Sequence, residues 1–250
     1  MASKFTSIFI VVLLCPCMNV FSMSRDTKFF NEVLEAAWQP NASVTYQRVL
    51  GECYRIGQGV AITPQKAFEW HLKAAEGGVV YSQVTIGEFY ETGFGVVKNP
   101  QLAFVWAMKA AQNGDQVAQG KVGKFYTCGF GVEPDLEKAL EWYLKAATQI
   151  DSPIIKSSEY DLGKFYEEQI GDPWKAFVWY LKSARHGSCV ATYEVIRCYE
   201  NGFGVEKNHE KAEAWLHKNG YGQPVEINQE LSDCVDAQIE YARSIGLLPK

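Results

Sequence analysis

The sequence predicts an all-α solenoid of stacked antiparallel helix pairs, and three observations carry that prediction. Tryptophans recur at Trp70, Trp106, Trp142, Trp179 and Trp215, with spacings of 36, 36, 37 and 36 residues. An alanine stands three residues before each of them, at Ala67, Ala103, Ala139, Ala176 and Ala212. Paired glycines, Gly57/Gly59, Gly93/Gly95, Gly129/Gly131 and Gly202/Gly204, keep the same step in four of the five units. A fixed period of this size marks supersecondary units that bury their apolar faces only by stacking on one another. With 47% hydrophobic residues in 250, the chain has ample material for the core such a stack needs.

The chain opens on Lys4 and an apolar run from Phe5 to Leu14. This is the grammar of a secretory signal, and the run is shorter than the roughly 20 apolar residues of a membrane-spanning helix. Val20-Phe21-Ser22 offers a cleavage site, so residues 1–22 are expected to be removed and the mature chain to have no stable membrane span. Lipidation at Cys15 or Cys17 is the other outcome. Residues 23–45 contain Leu34-Glu35-Ala36-Ala37, which imitates the end of a repeat's second helix and predicts an N-terminal half-unit.

Five full units follow over 46–220. Each first helix is read from segments such as Leu50-Gly51-Glu52-Cys53-Tyr54 and Ile86-Gly87-Glu88-Phe89-Tyr90, whose apolar residues fall at helical spacing. The glycine inside that helix costs about 1 kcal/mol against alanine, which predicts a closely approaching neighbour. In the fifth unit Ile196 takes its place. The paired glycines, three residues after a tyrosine, predict a left-handed helix end. A phosphate-binding loop would need a strand before them and is excluded. Second helices are expected to start at Thr63-Pro64, Asn99-Pro100, Glu133-Pro134, Asp172-Pro173 and Asn208-His209, because proline suits the first helical position. Residues 221–250 lack the repeat pattern and predict a C-terminal capping helix.

The recurring pattern, Leu50-Gly51 and Tyr54, Gly57 and Gly59-Val60, Lys66-Ala67 and Trp70, then Lys73-Ala74-Ala75, resembles the Sel-one-like repeat family, a branch of the tetratricopeptide-type solenoids. The resemblance implies a right-handed solenoid that acts as an adaptor, binding other proteins along its concave face. It also implies export, with the periplasm the expected compartment and secretion the alternative, and similarity to periplasmic immunity proteins that neutralise a toxin effector. A host protein bound by a virulence adaptor is the competing partner. Two departures stand out: the turn at Gln169-Ile170-Gly171-Asp172 has lost one glycine, and residues are inserted near Thr148 to Ser158. A cysteine-rich subgroup bridges each unit with a disulfide, but Cys189 finds no partner at Ser183-Ala184. Five cysteines remain after residue 22, an odd number. Cys53 and Cys198 are expected to be buried.

Several classes of chemistry are excluded. A net charge of -5 lacks the basic excess of a nucleic-acid binder. His71, His186, His209 and His217 have no metal-ligand spacing and are expected on the surface. No nucleophile elbow occurs, and His186 near Cys189 lacks an orienting third group. The chain is therefore read as a non-enzyme without cofactor, with an envelope hydrolase as the rival class. If it binds protein, the residue after each mid-helix glycine should touch the partner. These are Glu52, Glu88, Lys124, Lys164 and Arg197, whose charge runs from acidic to basic along the array.

Overall fold

The computed structural model describes residues 25–218, apart from residues 40, 150, 151 and 153 and the side chains of 217 and 218. The expected signal, the lipidation sites, the capping helix and Cys234 lie outside these residues. Eleven α-helices, α1 (Arg25–Ala37), α2 (Val44–Ile56), α3 (Pro64–Glu76), α4 (Val80–Thr92), α5 (Pro100–Gln112), α6 (Gln116–Cys128), α7 (Leu136–Ala147), α8 (Ile155–Phe165), α9 (Pro173–Arg185), α10 (Cys189–Asn201) and α11 (His209–Lys218), form an all-α solenoid. From α2 onward the even-numbered helices are the first helices of the repeats and the odd-numbered ones the second.

The motif residues explain how one pair closes. Four of the five first helices end on a glycine with φ between 71 and 84°, at Gly57, Gly93, Gly129 and Gly202, a conformation only glycine adopts cheaply. The tyrosine carbonyl then accepts a hydrogen bond from the amide that caps the second helix: Thr63 to Tyr54, Asn99 to Tyr90, Asp135 to Tyr126 and Asn208 to Tyr199, all within 2.9 to 3.0 Å. The third unit corrects the expected start at Glu133-Pro134. There the cap is Asp135, whose carboxylate accepts from the Lys138 amide, and Pro134 precedes the helix.

Motif lysines also acquire a reason. Lys66, Lys138, Lys175 and Lys211 lie over the rings of Tyr54, Tyr126, Tyr166 and Tyr199, and Lys73, Lys109, Lys145 and Lys182 over Trp70, Trp106, Trp142 and Trp179. Each aliphatic stem covers aromatic surface while the ammonium faces the ring. The alanines three before the tryptophans are all buried.

Units are keyed to one another at two places. A Cβ built on Gly95 would stand 2.1 Å from the Pro64 carbonyl oxygen, on Gly131 2.0 Å from that of Pro100, and on Gly204 1.9 Å from that of Pro173. The second turn glycine thus exists because the preceding unit's second helix begins directly against it. Gly59 meets the Asp26 carbonyl of α1 in the same manner, and Phe30 packs edge-on against Tyr54 as Phe68 does against Tyr90. The other key is a buried side chain four residues before the mid-helix glycine. Gln83 donates to the Ala75 carbonyl of the preceding unit and accepts from Asn113, and Gln119 donates to Ala111 and accepts from Gln149.

The fourth unit departs from all of this. Its first helix runs into a π-helical turn, Tyr166–Ile170, that ends on Gly171 with φ 71°. The turn is three residues shorter, yet the Asp172 amide still donates to the Tyr166 carbonyl at 2.9 Å, so the extra backbone of the π turn preserves the clasp. Gly171 abuts nothing. The stretch with the inserted residues, near Thr148 to Ser158, spans the link after α7 and the first turn of α8. The buried position carries Glu159, which accepts from His186 (Nδ1 to Oε2, 2.6 Å) and lies 3.3 Å from Lys182. Burial pushes its carboxyl up against the lowering by Lys182 and His186, and a carboxyl lacks the amide N–H with which Gln83 and Gln119 reach the preceding helix.

Candidate functional site

The first helices form one face of the array, and their exposed positions carry the candidate contact residues. The mid-helix glycines on the opposite side of these helices do what their cost predicts. A Cβ on Gly51 would stand 2.7 Å from His71, on Gly123 3.1 Å from Tyr143 and on Gly163 2.6 Å from Tyr180, so the residue after each of these tryptophans lies on the glycine. His71 corrects the expectation of a surface histidine. It is fully buried, and loss of hydration drives its pKa down to about 4. Neutral at pH 7, it has Nδ1 3.2 Å from Ser82 Oγ and Nε2 3.3 Å from Glu52. His186 and His209 are exposed.

Four of the five candidate residues are engaged within the solenoid. Glu52 accepts from Arg55 at 2.7 Å and from the Tyr81 hydroxyl of the next unit at 2.9 Å. Burial pushes its carboxyl up, but these hydrogen bonds outweigh burial and hold it below the usual range. Glu88 pairs with Lys121 of the next unit at 3.3 Å, and Lys121 also reaches Glu91 at 3.0 Å. Lys164 pairs with Glu168 at 3.0 Å. Arg197 meets Glu194 at 2.6 Å and Glu167 of the preceding unit at 2.8 Å. Each pair contributes at most about 1 kcal/mol, being partly hydrated. Together they compensate the acidic-to-basic gradient locally. Lys124 has no ion pair among the described residues.

Lys124 borders an open cleft of about 580 Å³ between α6 and α8. Its walls include Val117 and Phe125 from α6 and Ile154 and Phe165 from α8, with Tyr143 behind them. Beneath it Tyr143 and Phe165 pack with ring centroids 5.1 Å apart and their planes tilted by 43°. The cleft therefore lies on the first-helix face, at the one junction where the turn glycine, the buried glutamine and the link length all depart from the pattern.

Gly120, which the periodicity did not single out, completes the cleft. It occupies the position held by Arg48, Val84, Tyr160 and Tyr193 in the other first helices. A Cβ there would meet nothing within 4 Å, so no packing within the chain requires glycine. The position gives up about 1 kcal/mol of helix stability against alanine. Its signal in the sequence is a second glycine three residues before Gly123, present only in this unit.

Among the described residues no group of three potential metal ligands occurs, and no helix is long and apolar enough to cross a membrane. Cys53 and Cys198 are buried, Cys128 and Cys189 exposed, and all four are free thiols.

Helix pairs stacked in this way define the class of α-solenoid repeat proteins, a protein-interaction fold. The chain belongs to the Sel1 repeat family, whose model matches residues 46–79, 80–115, 116–151, 156–188 and 191–218. Among solved structures it is similar to a Sel1 repeat protein from Oxalobacter formigenes, with 29% identity and a TM-score of 0.69 over 80% of this chain and 82% of the other. It is also similar to a protective antigen of uropathogenic Escherichia coli with an SLR fold, with 31% identity and a TM-score of 0.64. That match covers 77% of this chain and 40% of the antigen, so this chain spans less than half the antigen's length. An immunity protein from Pseudomonas aeruginosa matches at 22% identity and a TM-score of 0.45, over 86% of this chain and 72% of the other, too distant to carry an inference. No curated protein matches the chain.

Proposed function

We propose that this protein is exported and holds a protein partner on its first-helix face, as an adaptor or as a periplasmic inhibitor of a toxin. The observation that carries the reading is the cleft between α6 and α8: an open, partly apolar recess on the face where an interaction solenoid meets other chains. Tyr81 on α4 and Tyr193 on α10, both about half exposed or more, add exposed aromatic surface on the neighbouring first helices. Export rests on the charged and apolar start of the chain, residues 1–22 being its signal. Of the five candidate residues, Lys124 and Lys164 border the cleft and are assigned to the partner. Glu52, Glu88 and Arg197 serve first to tie neighbouring units together. The reading includes no catalytic residue and no cofactor.

The test is to express the full chain with a C-terminal tag in a bacterial host of its own kind, crosslink, fractionate the cells and identify what is bound. One stoichiometric partner in the periplasmic fraction, lost when Lys124 and Lys164 are reversed in charge, is expected. A toxin as that partner makes the protein an inhibitor, and a host protein makes it a virulence adaptor. A cytoplasmic chain with residues 1–22 intact and nothing bound overturns the reading.

A further inference from the structure

We infer that the cleft at Gly120 takes an extended segment of the partner that carries an acidic side chain next to a basic one. The inference rests on the protein-binding reading above and names the chemistry of its central contact.

Three observations converge. The first is the space itself. Gly120 faces open space where the equivalent positions carry the side chains of Arg48, Val84, Tyr160 and Tyr193, and no atom of the chain comes within 4 Å of a Cβ built there. Glycine inside a helix, where nothing of the protein approaches it, lets a foreign backbone come within van der Waals distance of the helix. The cleft volume of about 580 Å³ falls within the roughly 300–1,000 Å³ range of sites that enclose a ligand.

The second observation is the charge left over. Of the charges around the cleft, Lys121 is occupied by Glu88 and Glu91, and Lys164 by Glu168. Lys124 on α6 and Asp161 on α8 border the cleft from opposite walls without a direct ion pair among the described residues; burial raises the Asp161 carboxyl, and Lys164 and then Lys124 act on it only at longer range. One wall therefore offers an ammonium and the other a carboxylate. In an extended chain successive side chains point to opposite sides. A segment lying between the walls would direct an acidic residue at Lys124 and its basic neighbour at Asp161. A helix cannot present adjacent residues in that way.

The third is an unmet hydrogen bond. Gln116, 95% buried at the end of the cleft, donates through Nε2 to the Ala146 carbonyl, while its Oε1 has no donor. Buried polar atoms in folded proteins are almost always paired. A backbone N–H of an entering segment is the donor this oxygen lacks.

The proposal is tested with a positional-scanning library of fluorescein-labelled hexapeptides, acetylated and amidated so that only side chains carry charge, and fluorescence polarisation on the full chain. The expected selection is for adjacent acidic and basic residues. Lys124→Glu should then weaken the selected peptides at least about tenfold, and the double exchange Lys124→Glu with Asp161→Lys should prefer the reversed order of the two charges. Gly120→Leu should abolish binding while the thermal midpoint rises, which separates blocking from unfolding. Peptides that bind with no charge-pair preference, or bind Gly120→Leu as well as the parent, overturn the proposal. If binding is instead lost on Tyr193→Asp, the protein-binding reading survives and the cleft is not its site. If no peptide binds at about 1 mM, the cleft proposal fails, and the crosslinking experiment alone decides the protein-binding reading.

Discussion

Gly131 and Gly171 share a backbone conformation but not a neighbour, and the pair isolates what the second turn glycine contributes. Both have φ near 71°. In a Gly131→Ala chain the new Cβ would fall 2.0 Å from the Pro100 oxygen and 2.4 Å from its carbonyl carbon. Contacts below about 3 Å are not tolerated, so the turn of the third unit and the start of α5 must part by about 1 Å. The left-handed conformation costs an alanine about 1–2 kcal/mol. Forcing apart a packed contact adds about 1–3 kcal/mol. Gly131→Ala should therefore lose about 3 kcal/mol or more, and Gly171→Ala, where nothing lies within 4 Å, only the conformational 1–2 kcal/mol. Urea unfolding of both variants and the parent, followed by tryptophan fluorescence and far-ultraviolet circular dichroism, measures the difference. Equal losses would refute the idea that this glycine is there to admit the neighbouring unit.

Three further outcomes follow from burial. His71 has a folded pKa lowered from 6.5 to about 4, so as pH falls the unfolded chain binds its proton first; stability is complete above pH 6.5 and lost toward pH 4, by about 3 kcal/mol in all. Thermal unfolding from pH 7 to 4 should show this loss, and His71→Gln should flatten it. Trp179→Ala empties a fully buried site and should cost about 3–5 kcal/mol in urea unfolding. Of the four described thiols, Cys128 and Cys189 should react with a thiol reagent in the native state, whereas Cys53 and Cys198 should react only after unfolding, burial having pushed the Cys198 thiol up to about 12.

The parts of the fold legible in the sequence are those fixed by contacts at a constant chain offset. The tryptophan period, the left-handed glycines and the close approach at the mid-helix glycines all repeat with the unit, so five copies amplify each signal. The changes in the fourth unit were visible as a shortened turn and an insertion, but not their result. Tyr126 and Tyr166 are 40 residues apart and Tyr166 and Trp179 only 13, and the two changes nearly cancel in the tryptophan spacing. The position after each mid-helix glycine is defined within a single helix. The polar partners of the residues there, the Tyr81 hydroxyl for Glu52, Lys121 for Glu88 and Glu167 for Arg197, lie about 30 residues away on the adjacent first helix, where helix periodicity says nothing. Gly120 carries no periodic signal because it breaks the pattern of one unit instead of repeating across all.

The buried amide and carboxylate positions carry a consequence for how such a chain can vary. Tryptophan, alanine and tyrosine would let any unit stack on any other, as identical bricks do. The polar pairs do not: Gln83 answers Asn113, Gln119 answers Gln149, and Glu159 answers His186 and Lys182. Transplanting α8 into the place of α6 would set a buried carboxylate opposite Gln149 where His186 now stands, with only Lys145, already paired with Glu141, at the position of Lys182. The order of the repeats is thus written in hydrogen-bond grammar beneath an apolar stripe that is indifferent to order, and shuffling the units would scramble a sentence whose words all look alike.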